Sequence, residues 1–397
     1  MSSDTVYMSA KEAALELNVS LATLYAYVSR GIIQSEARSG SRARRYPAAA
    51  IRALAEKTKI SKSGDSASIL NFGAPLLDSA ITHSDGARLF FRGRDSSLLA
   101  QTSPSLESVA RLIWDCPEED VFSSPAPEIP DAFAPLQRNA WMSRPLVLCQ
   151  ALLPLIGEQD LRAYDHSKRG AARTGGRVLR LMAGLVAGTQ PSAQAVHEIL
   201  ASAWQVRHHA HLLRAALILA ADHELNASTF TVRVAASAGA PLYHAAAAGL
   251  ATLQGARHGG EIERSFRLLD EASQHSAPEE IISAWLRRGD AIPGFGHPLY
   301  KDGDPRAETL LTLMAQAFTT PQSMALHRSV AVAQSIVGRK LNFDGALAVF
   351  SLQLGLSAQN ALSILAVGRL VGWIGHAIEQ YLDPQMIRPR ARYTGLR

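Results

Sequence analysis

From residue 69 onward this chain repeats its apolar residues at helical spacing and almost never alternates them as a strand would. Val367, Leu370, Val371, Ile374, Ile378 and Tyr381 fall at i, i+3, i+4, i+7 and onward. They mark one face of a helix, with Arg369, His376 and Glu379 on the other side. Val178–Val186, Val196–Trp204, Leu212–Ala220 and Ala346–Leu354 are similarly apolar and helical. Only Phe90-Phe91-Arg92-Gly93 reads as a short hairpin or turn. The fold class expected is all-α. An apolar share of 47% against 19% charged residues supplies a large core and excludes a disordered chain. The uncharged stretch Val234–Ala256 is Ala/Gly-rich and broken by Gly239, Pro241, His244 and Gly249. That is too weakly hydrophobic for a membrane span, and it reads as backbone buried among helices.

Charge separates the N-terminus from the rest. Residues 1–60 hold nine Lys/Arg against five Asp/Glu, which leaves 31 against 30 elsewhere. A polyanion-seeking surface therefore belongs to residues 1–60. Ser9 with Glu12 is a capping-box pattern that opens a helix through Leu17, Asn18-Val19-Ser20 makes a turn, and Ser20 caps a second helix ended by Gly31. This is a helix-turn-helix pattern, with Arg38–Tyr46 as a basic wing and Ala48–Lys57 as another helix. It resembles MerR-like and excisionase-like modules. The resemblance places Tyr25, Tyr27, Ser29 and Arg30 on a DNA-reading face, while a packing module that does not touch DNA has the same pattern. Residues 61–68 (SKSGDSAS) are a flexible linker.

The two cysteines, Cys116 and Cys149, form no CxxC or His/Cys ladder, so neither a disulfide framework nor a structural zinc is expected. This suits a reducing cytoplasm, as does an N-terminus without the basic-then-apolar build of a signal peptide. His208 and His211 share a helix face, but no carboxylate at i+3 or i+4 completes a metal site there. His83 and His376 have no partner visible in sequence, and Trp204 and Trp373 read as core. G-x-S-x-G, Walker A and G-x-G-x-x-G patterns are lacking, which argues against serine hydrolases, NTPases and dinucleotide enzymes.

The candidate chemistry lies in turn-forming stretches between apolar helices, where rigid scaffolds present functional groups. His258 lies in GARHGG, His297 in PGFGHP, Asp344 in NFDG, Arg306 follows Asp304-Pro305, Arg369 opens the last long helix, and Arg388 begins RPR. His223 stands between Asp222 and Glu224, just past an apolar helix. One loop histidine is ordinarily solvent-exposed or structural. Two of them with an aspartate and three arginines are harder to explain as structure alone.

Taken in order, Asp222–Phe230 (DHELNASTF), Arg257–Gly260 (RHGG), Pro293–Arg306 (PGFGHPLYKDGDPR), Asn342–Asp344, Val367–Gln380 (VGRLVGWIGHAIEQ) and Arg388–Gly395 (RPRARYTG) resemble the successive motifs of the citrate synthase family. The resemblance covers roughly residues 69–397. It implies an all-α fold with a large helical domain (69–259 and 355–397) and a small one (260–354) that close over substrate, preceded by the helix-turn-helix module. Residue by residue, it implies that Asp344 is the base at the acyl-CoA α-carbon. His258 donates to the thioester oxygen and His297 to the oxaloacetate keto oxygen. His223, Arg306 and Arg369 bind the substrate carboxylates, Arg388 reaches across from the partner of a homodimer, and Lys301 meets a CoA phosphate. His297, Arg306 and Asp344 are expected to reach His258 only on closure. Glu261-Ile262 depart from the Asn and Glu that commonly follow His-Gly-Gly.

The physical chemistry agrees. A thioester α-proton is too weakly acidic for a carboxylate alone, so a donor must stabilise the oxyanion, at about 2.7–4 kcal/mol per donor. Attack on the keto carbon calls for a second donor, and guanidinium forks suit a dicarboxylate. No cofactor or metal is expected, because acyl-CoA is itself a substrate. The reaction implied joins acetyl-CoA to oxaloacetate and hydrolyses the citryl-CoA intermediate. One alternative is 2-methylcitrate synthesis from propionyl-CoA, since one methylene discriminates by only about 1–3 kcal/mol. The other is a metabolite-sensing DNA-binding regulator built on the synthase body.

Overall fold

The computed structural model describes residues 7–17, 19–29, 33–37, 44–48, 50–51, 77–133, 135–136, 144–391 and 393–395. The chain divides into two compact units, Met1–Asp78 and Ser79–Arg397. The linker expected at 61–68 lies outside the described residues.

In the first unit the strand Tyr7–Ser9 runs directly into the helix Ala10–Glu16. The capping box is present: Ser9 Oγ accepts from the Glu12 N–H at 3.3 Å and Glu12 Oε2 accepts from the Ser9 N–H at 2.7 Å. Ser20 Oγ repeats the device for the helix Leu21–Ser29, accepting from the Thr23 N–H at 3.1 Å. The basic wing supplies the strand Arg44–Pro47, which pairs antiparallel with both Tyr7–Ser9 and Glu36–Ala37. Ala13, Leu17, Leu24, Ile33, Tyr46 and Ile51 form the core of this unit. Tyr25 is 52% exposed. Tyr27 is instead half-buried against the core, because it shares the helix face of Leu24 at i+3. Arg30, the side chain of Ser29 and most of the helix expected over Ala48–Lys57 lie outside the described residues.

Among its described residues the second unit's regular structure is helical apart from a small antiparallel sheet of Thr82–Ser84, Leu89–Phe91 and Arg94–Asp95, which contains the hairpin expected at Phe90–Gly93. Its spine is the helix Ala358–Tyr381, buried at every residue from Ala361 to Ile378. Sequence reasoning made this helix one-sided. It is enclosed all round, packed against Lys168–Ala187, Ala210–Ala220, Ala227–Ser237, Leu242–Leu253, Gly260–Gln274 and Phe343–Gln353. Its apolar length would suffice to cross a membrane, but that surface is spent entirely inside the protein. The helix begins at Ala358 behind a Ser357–Asn360 capping box, so Arg369 sits midway along it and does not open it. Gly372 lets the spine touch segment 220–222. Its N–H donates to the Ala221 carbonyl at 2.9 Å, and a Cβ at 372 would lie 2.5 Å from that oxygen.

The helices Gly260–Gln274, Pro305–Ala317, Pro321–Val337 and Phe343–Gln353 pack on one another, and the first and last of them also touch the spine.

Candidate active site

Two segments far apart in sequence are zipped together at the centre of the site. The Gly296 N–H donates to the Lys340 carbonyl at 2.8 Å, and the Asn342 N–H donates to the Gly294 carbonyl at 2.9 Å. Asn342 Nδ2 donates to the Gly296 carbonyl at 3.1 Å, while its Oδ1 caps the next helix through the Gly345 N–H at 3.0 Å. Asp344 is therefore in the first turn of the helix Phe343–Gln353, held rigidly, and not in a free loop as the Asn-Phe-Asp-Gly pattern suggested.

Asp304 ties Arg306 into the same framework. Arg306 donates to it twice, Nε to Oδ1 at 3.0 Å and Nη2 to Oδ2 at 2.7 Å, with both side chains almost fully buried. Asp304 Oδ2 also accepts the Phe343 N–H at 3.2 Å, one residue before Asp344. Burial opposes both charges, yet each partner overrides it: the Asp304 pKa is held down and the Arg306 pKa is held up.

Three histidines converge on this framework. His223 Nε2 is 2.9 Å from the Tyr300 hydroxyl, and its ring meets the His297 ring edge-on at 5.0 Å. His297 Nδ1 accepts the Leu299 N–H at 3.1 Å. His258 Nε2 is 2.9 Å from Ser228 Oγ, which in turn lies 2.7 Å from Asn226 Oδ1. All three rings are held neutral. Burial, with Arg306, lowers His297 to about 4, and burial, with Arg369, lowers His258 to about 4. Burial, then Arg306 and Arg369, hold His223 well below the ordinary histidine value.

Asp344 is shifted the other way. Burial pushes it up to about 6, helped by Glu261 and Asp304 and resisted by Arg306 and Arg369. The residue as a whole is half-buried. Arg369 reaches in from the spine with Nε donating to the Ala220 carbonyl at 2.9 Å, and burial lowers it to about 10, which leaves it charged at neutral pH. Beneath it, the buried carboxylate of Asp222 takes the Thr82 hydroxyl at 2.5 Å and lies 3.4 Å from His376 Nε2, the partner that sequence did not provide for His376. This set can remove a proton from a weak carbon acid while two fixed, uncharged donors face oxygens that gain charge.

The structure thus brings together His223, His258, His297, Arg306, Asp344 and Arg369. The His297 ring already meets that of His223, whereas among the described residues no hydrogen bond or ring contact joins His258 to His297, Arg306 or Asp344. Lys301 is exposed and lines a 680 Å³ cleft together with His297, Arg339, Lys340 and Asn342. Arg388 lies exposed on the C-terminal segment, and among the described residues no contact ties it to the others. Among the described residues no three His, Cys, Asp or Glu side chains cluster as a metal site. Sequence reasoning missed Ser228, Tyr300 and Asp304. Asp304 had a signal, an Asp-Pro pair at a helix start, whereas Ser228 and Tyr300 stood inside quoted motifs with nothing to mark them.

Residues 71–390 match the family model for citrate synthase, C-terminal domain, and residues 7–59 match a helix-turn-helix domain model. The chain is 39% identical over 184 residues to citrate synthase 2 of Bacillus subtilis (strain 168), covering 45% of this chain and 50% of that protein. It is 30% identical over 192 residues to 2-methylcitrate synthase of Shewanella oneidensis, covering 47% and 51%. These matches span about half the length of either relative. The fold is shared with citrate synthase of the thermophilic archaeon Thermoplasma acidophilum, solved as a ternary complex with carboxymethyl coenzyme A and oxaloacetate. That likeness has 21% identity and a TM-score of 0.66, and covers 82% of this chain and 95% of that one. A family model that spans the whole helical body, together with a shared fold, establishes that the chain belongs to the citrate synthase family.

Proposed function

We propose that this protein condenses acetyl-CoA with oxaloacetate, hydrolyses the citryl-CoA intermediate and releases citrate and CoA. What supports the reading is one buried neighbourhood in which Arg369 acts on neutral His258, Arg306 on neutral His297, and both arginines on Asp344, which burial raises to about 6. Asp344 takes the α-proton of the acyl group while His258 donates to the thioester oxygen. The enol carbon then bonds to the keto carbon, the carbonyl electron pair moves onto oxygen, and His297 donates to that oxygen as it becomes a hydroxyl. Water finally cleaves the C–S bond. His223, Arg306 and Arg369 hold the dicarboxylate. Asp304 occupies Nε and one Nη2 hydrogen of Arg306, so Nη1 is the edge that faces substrate. Lys301 meets a CoA phosphate at the cleft, and Arg388 is contributed across the interface of a homodimer. The helices of residues 260–354 close as a small domain on the large one formed by 69–259 and 355–397. Unpaired Cys116 and Cys149 suit the cytoplasm.

The Shewanella relative keeps propionyl-CoA, and so 2-methylcitrate synthesis, as the alternative substrate pairing. A second reading, a metabolite-sensing DNA-binding regulator, is favoured by the helix-turn-helix match over residues 7–59. A sensor has no need of a proton-abstracting carboxylate, and that weighs against it. The deciding assay is thiol release from acetyl-CoA and, in parallel, propionyl-CoA. Release that requires oxaloacetate and is lost in Asp344→Ala supports the enzyme. Release indifferent to that substitution, with tight binding to a palindromic DNA site, supports the sensor.

A further inference from the structure

We propose that Glu261 is a positioning residue of this site, clamping the loop that presents His297 to the helix that follows His258. Glu261 is the second residue of the helix Gly260–Gln274. Its Oε1 accepts the Gly294 N–H at 3.0 Å, and the Gly294 carbonyl accepts the Asn342 N–H at 2.9 Å. Gly294 stands three residues before His297, and Asn342 two before Asp344. A single carboxylate and a single glycine therefore link the segments of all three acid–base groups.

The junction admits little movement. Gly294 has φ = +85°, and a Cβ there would lie 2.6 Å from Ser265 Oγ and 3.0 Å from the Gly345 Cα. Ser265 belongs to the Glu261 helix and donates to the Glu261 carbonyl at 2.8 Å. A carboxylate in a first helical turn is ordinarily explained by the helix dipole. That account does not explain why the side chain is committed to the amide of another loop. The other oxygen meets Arg264 Nη1 at 3.3 Å, a half-exposed pair of little energetic weight.

The clamp also carries a charge next to the base. The groups that act on Asp344 are Arg306 from the helix Pro305–Ala317, Arg369 from the spine, Asp304, and Glu261. Asp304 is bound up in its pair with Arg306, whereas Glu261 has only the half-exposed Arg264 as a counter-ion. Its negative charge therefore opposes ionisation of Asp344, in the same direction as burial. The substitution Glu261→Gln keeps an oxygen for Gly294 and removes the charge, and Glu261→Ala removes both.

The catalytic readout rests on the condensation reading, so a second readout that needs no turnover accompanies it. Melting temperatures of the full chain are compared for wild type, Glu261→Gln, Asp344→Asn and the double variant. At pH 7.5, above the titration of Asp344, the effects should fail to add by about 1 °C. At pH 4.5, where Asp344 carries its proton, they should add. Additive effects at pH 7.5 would overturn the placement of Glu261 beside the base. In thiol release, the acid limb of kcat/KM for Glu261→Gln should move down by about half a pH unit, while Glu261→Ala lowers kcat by about 10-fold more than Glu261→Gln does. An unmoved limb, or an alanine variant no worse than glutamine, would refute the clamp. Absence of turnover in wild type would instead sink the condensation reading and leave the melting cycle to decide the role of Glu261.

Discussion

Leu299 donates its backbone N–H to Nδ1 of His297 over 3.1 Å, and that bond fixes the tautomer of the ring. A nitrogen that accepts carries no proton. Burial and Arg306 hold the ring neutral down to about pH 4, so its single proton is on Nε2. His297 thus offers a fixed, uncharged donor at Nε2 throughout the neutral range, as stabilisation of a developing alkoxide requires.

The pH dependence follows from the same shifts. In the proposed condensation Asp344 works only when ionised, and its pKa is about 6, whereas His258 and His297 charge only near 4. We expect kcat/KM to rise with pH as a one-proton curve centred near 6 and then to level off without a histidine-driven descent. A bell with its alkaline limb below pH 8 would contradict neutral histidines. The linkage sign is equally defined. A carboxyl raised from 3.8 to about 6 costs the folded state stability progressively as pH rises through that window. Asp344→Asn should therefore abolish turnover yet stabilise the protein by about 3 kcal/mol at pH 7.5, with the gain shrinking towards pH 4 in thermal melts.

Ser228 decides which nitrogen of His258 can donate. Its hydroxyl has one proton and two acceptors within reach, Asn226 Oδ1 at 2.7 Å and His258 Nε2 at 2.9 Å. Asn226 Oδ1 already accepts the Ser228 and Thr229 N–H groups. In this conformation the hydroxyl donates to Asn226 Oδ1; turned to donate to His258 Nε2 instead, it leaves the imidazole proton on Nδ1 for the thioester oxygen of the proposed reaction. Ser228→Ala removes that bias, and we expect kcat to fall by about 10-fold or more with KM for the 2-oxo acid nearly unchanged. Steady-state kinetics of the variant provide the check.

Gly294→Ala should damage both stability and rate. At φ = +85° an alanine is strained, and its Cβ meets Ser265 Oγ. The backbone can relieve this only by pulling on Asn342 and so on the helix of Asp344. We expect a loss of about 1–3 kcal/mol in chemical denaturation together with a lower kcat.

How much of this was legible in the sequence varies with the kind of residue. His223, His258, His297, Arg306, Asp344 and Arg369 were all visible, because an imidazole or a charge inside a Gly/Pro-rich or apolar stretch is costly unless it is used. The spine helix was read as one-sided because periodicity detects the strongest apolar stripe. It cannot reveal that Arg369 and His376, on the weaker stripe, face further helices and a buried carboxylate. Tyr27 was misplaced for a related reason: a tyrosine is amphipathic, and only packing says whether its ring or its hydroxyl faces outward. The strand Tyr7–Ser9 is three residues long, too short for any alternation to register. Tyr300 and Ser228 act through partners 77 and 30 residues away, a relationship that only the tertiary fold creates.

Asp304 is the residue whose loss should do most damage for least apparent reason. It touches no proposed substrate atom, yet its two oxygens serve both donors on one side of Arg306, the Arg306 backbone N–H and the Phe343 N–H. Asp304→Ala would leave a guanidinium buried without its partner, which typically costs 3–5 kcal/mol, and would free the first turn of the helix that carries Asp344. Asp304→Asn keeps the shape and one acceptor, so it should cost less stability while still weakening the hold on Arg306. The two variants should therefore separate in denaturant melts but converge in raising KM for oxaloacetate, since both let Arg306 drift. The pair also has a pH signature. The Asp304 pKa is depressed in the folded state, so its stabilisation is present above its unfolded value of about 3.8 and is lost as acid titrates it below that. Wild type and Asp304→Asn should accordingly differ most at neutral pH and approach each other in strong acid. A constant gap across pH would mean that Asp304 acts through shape alone.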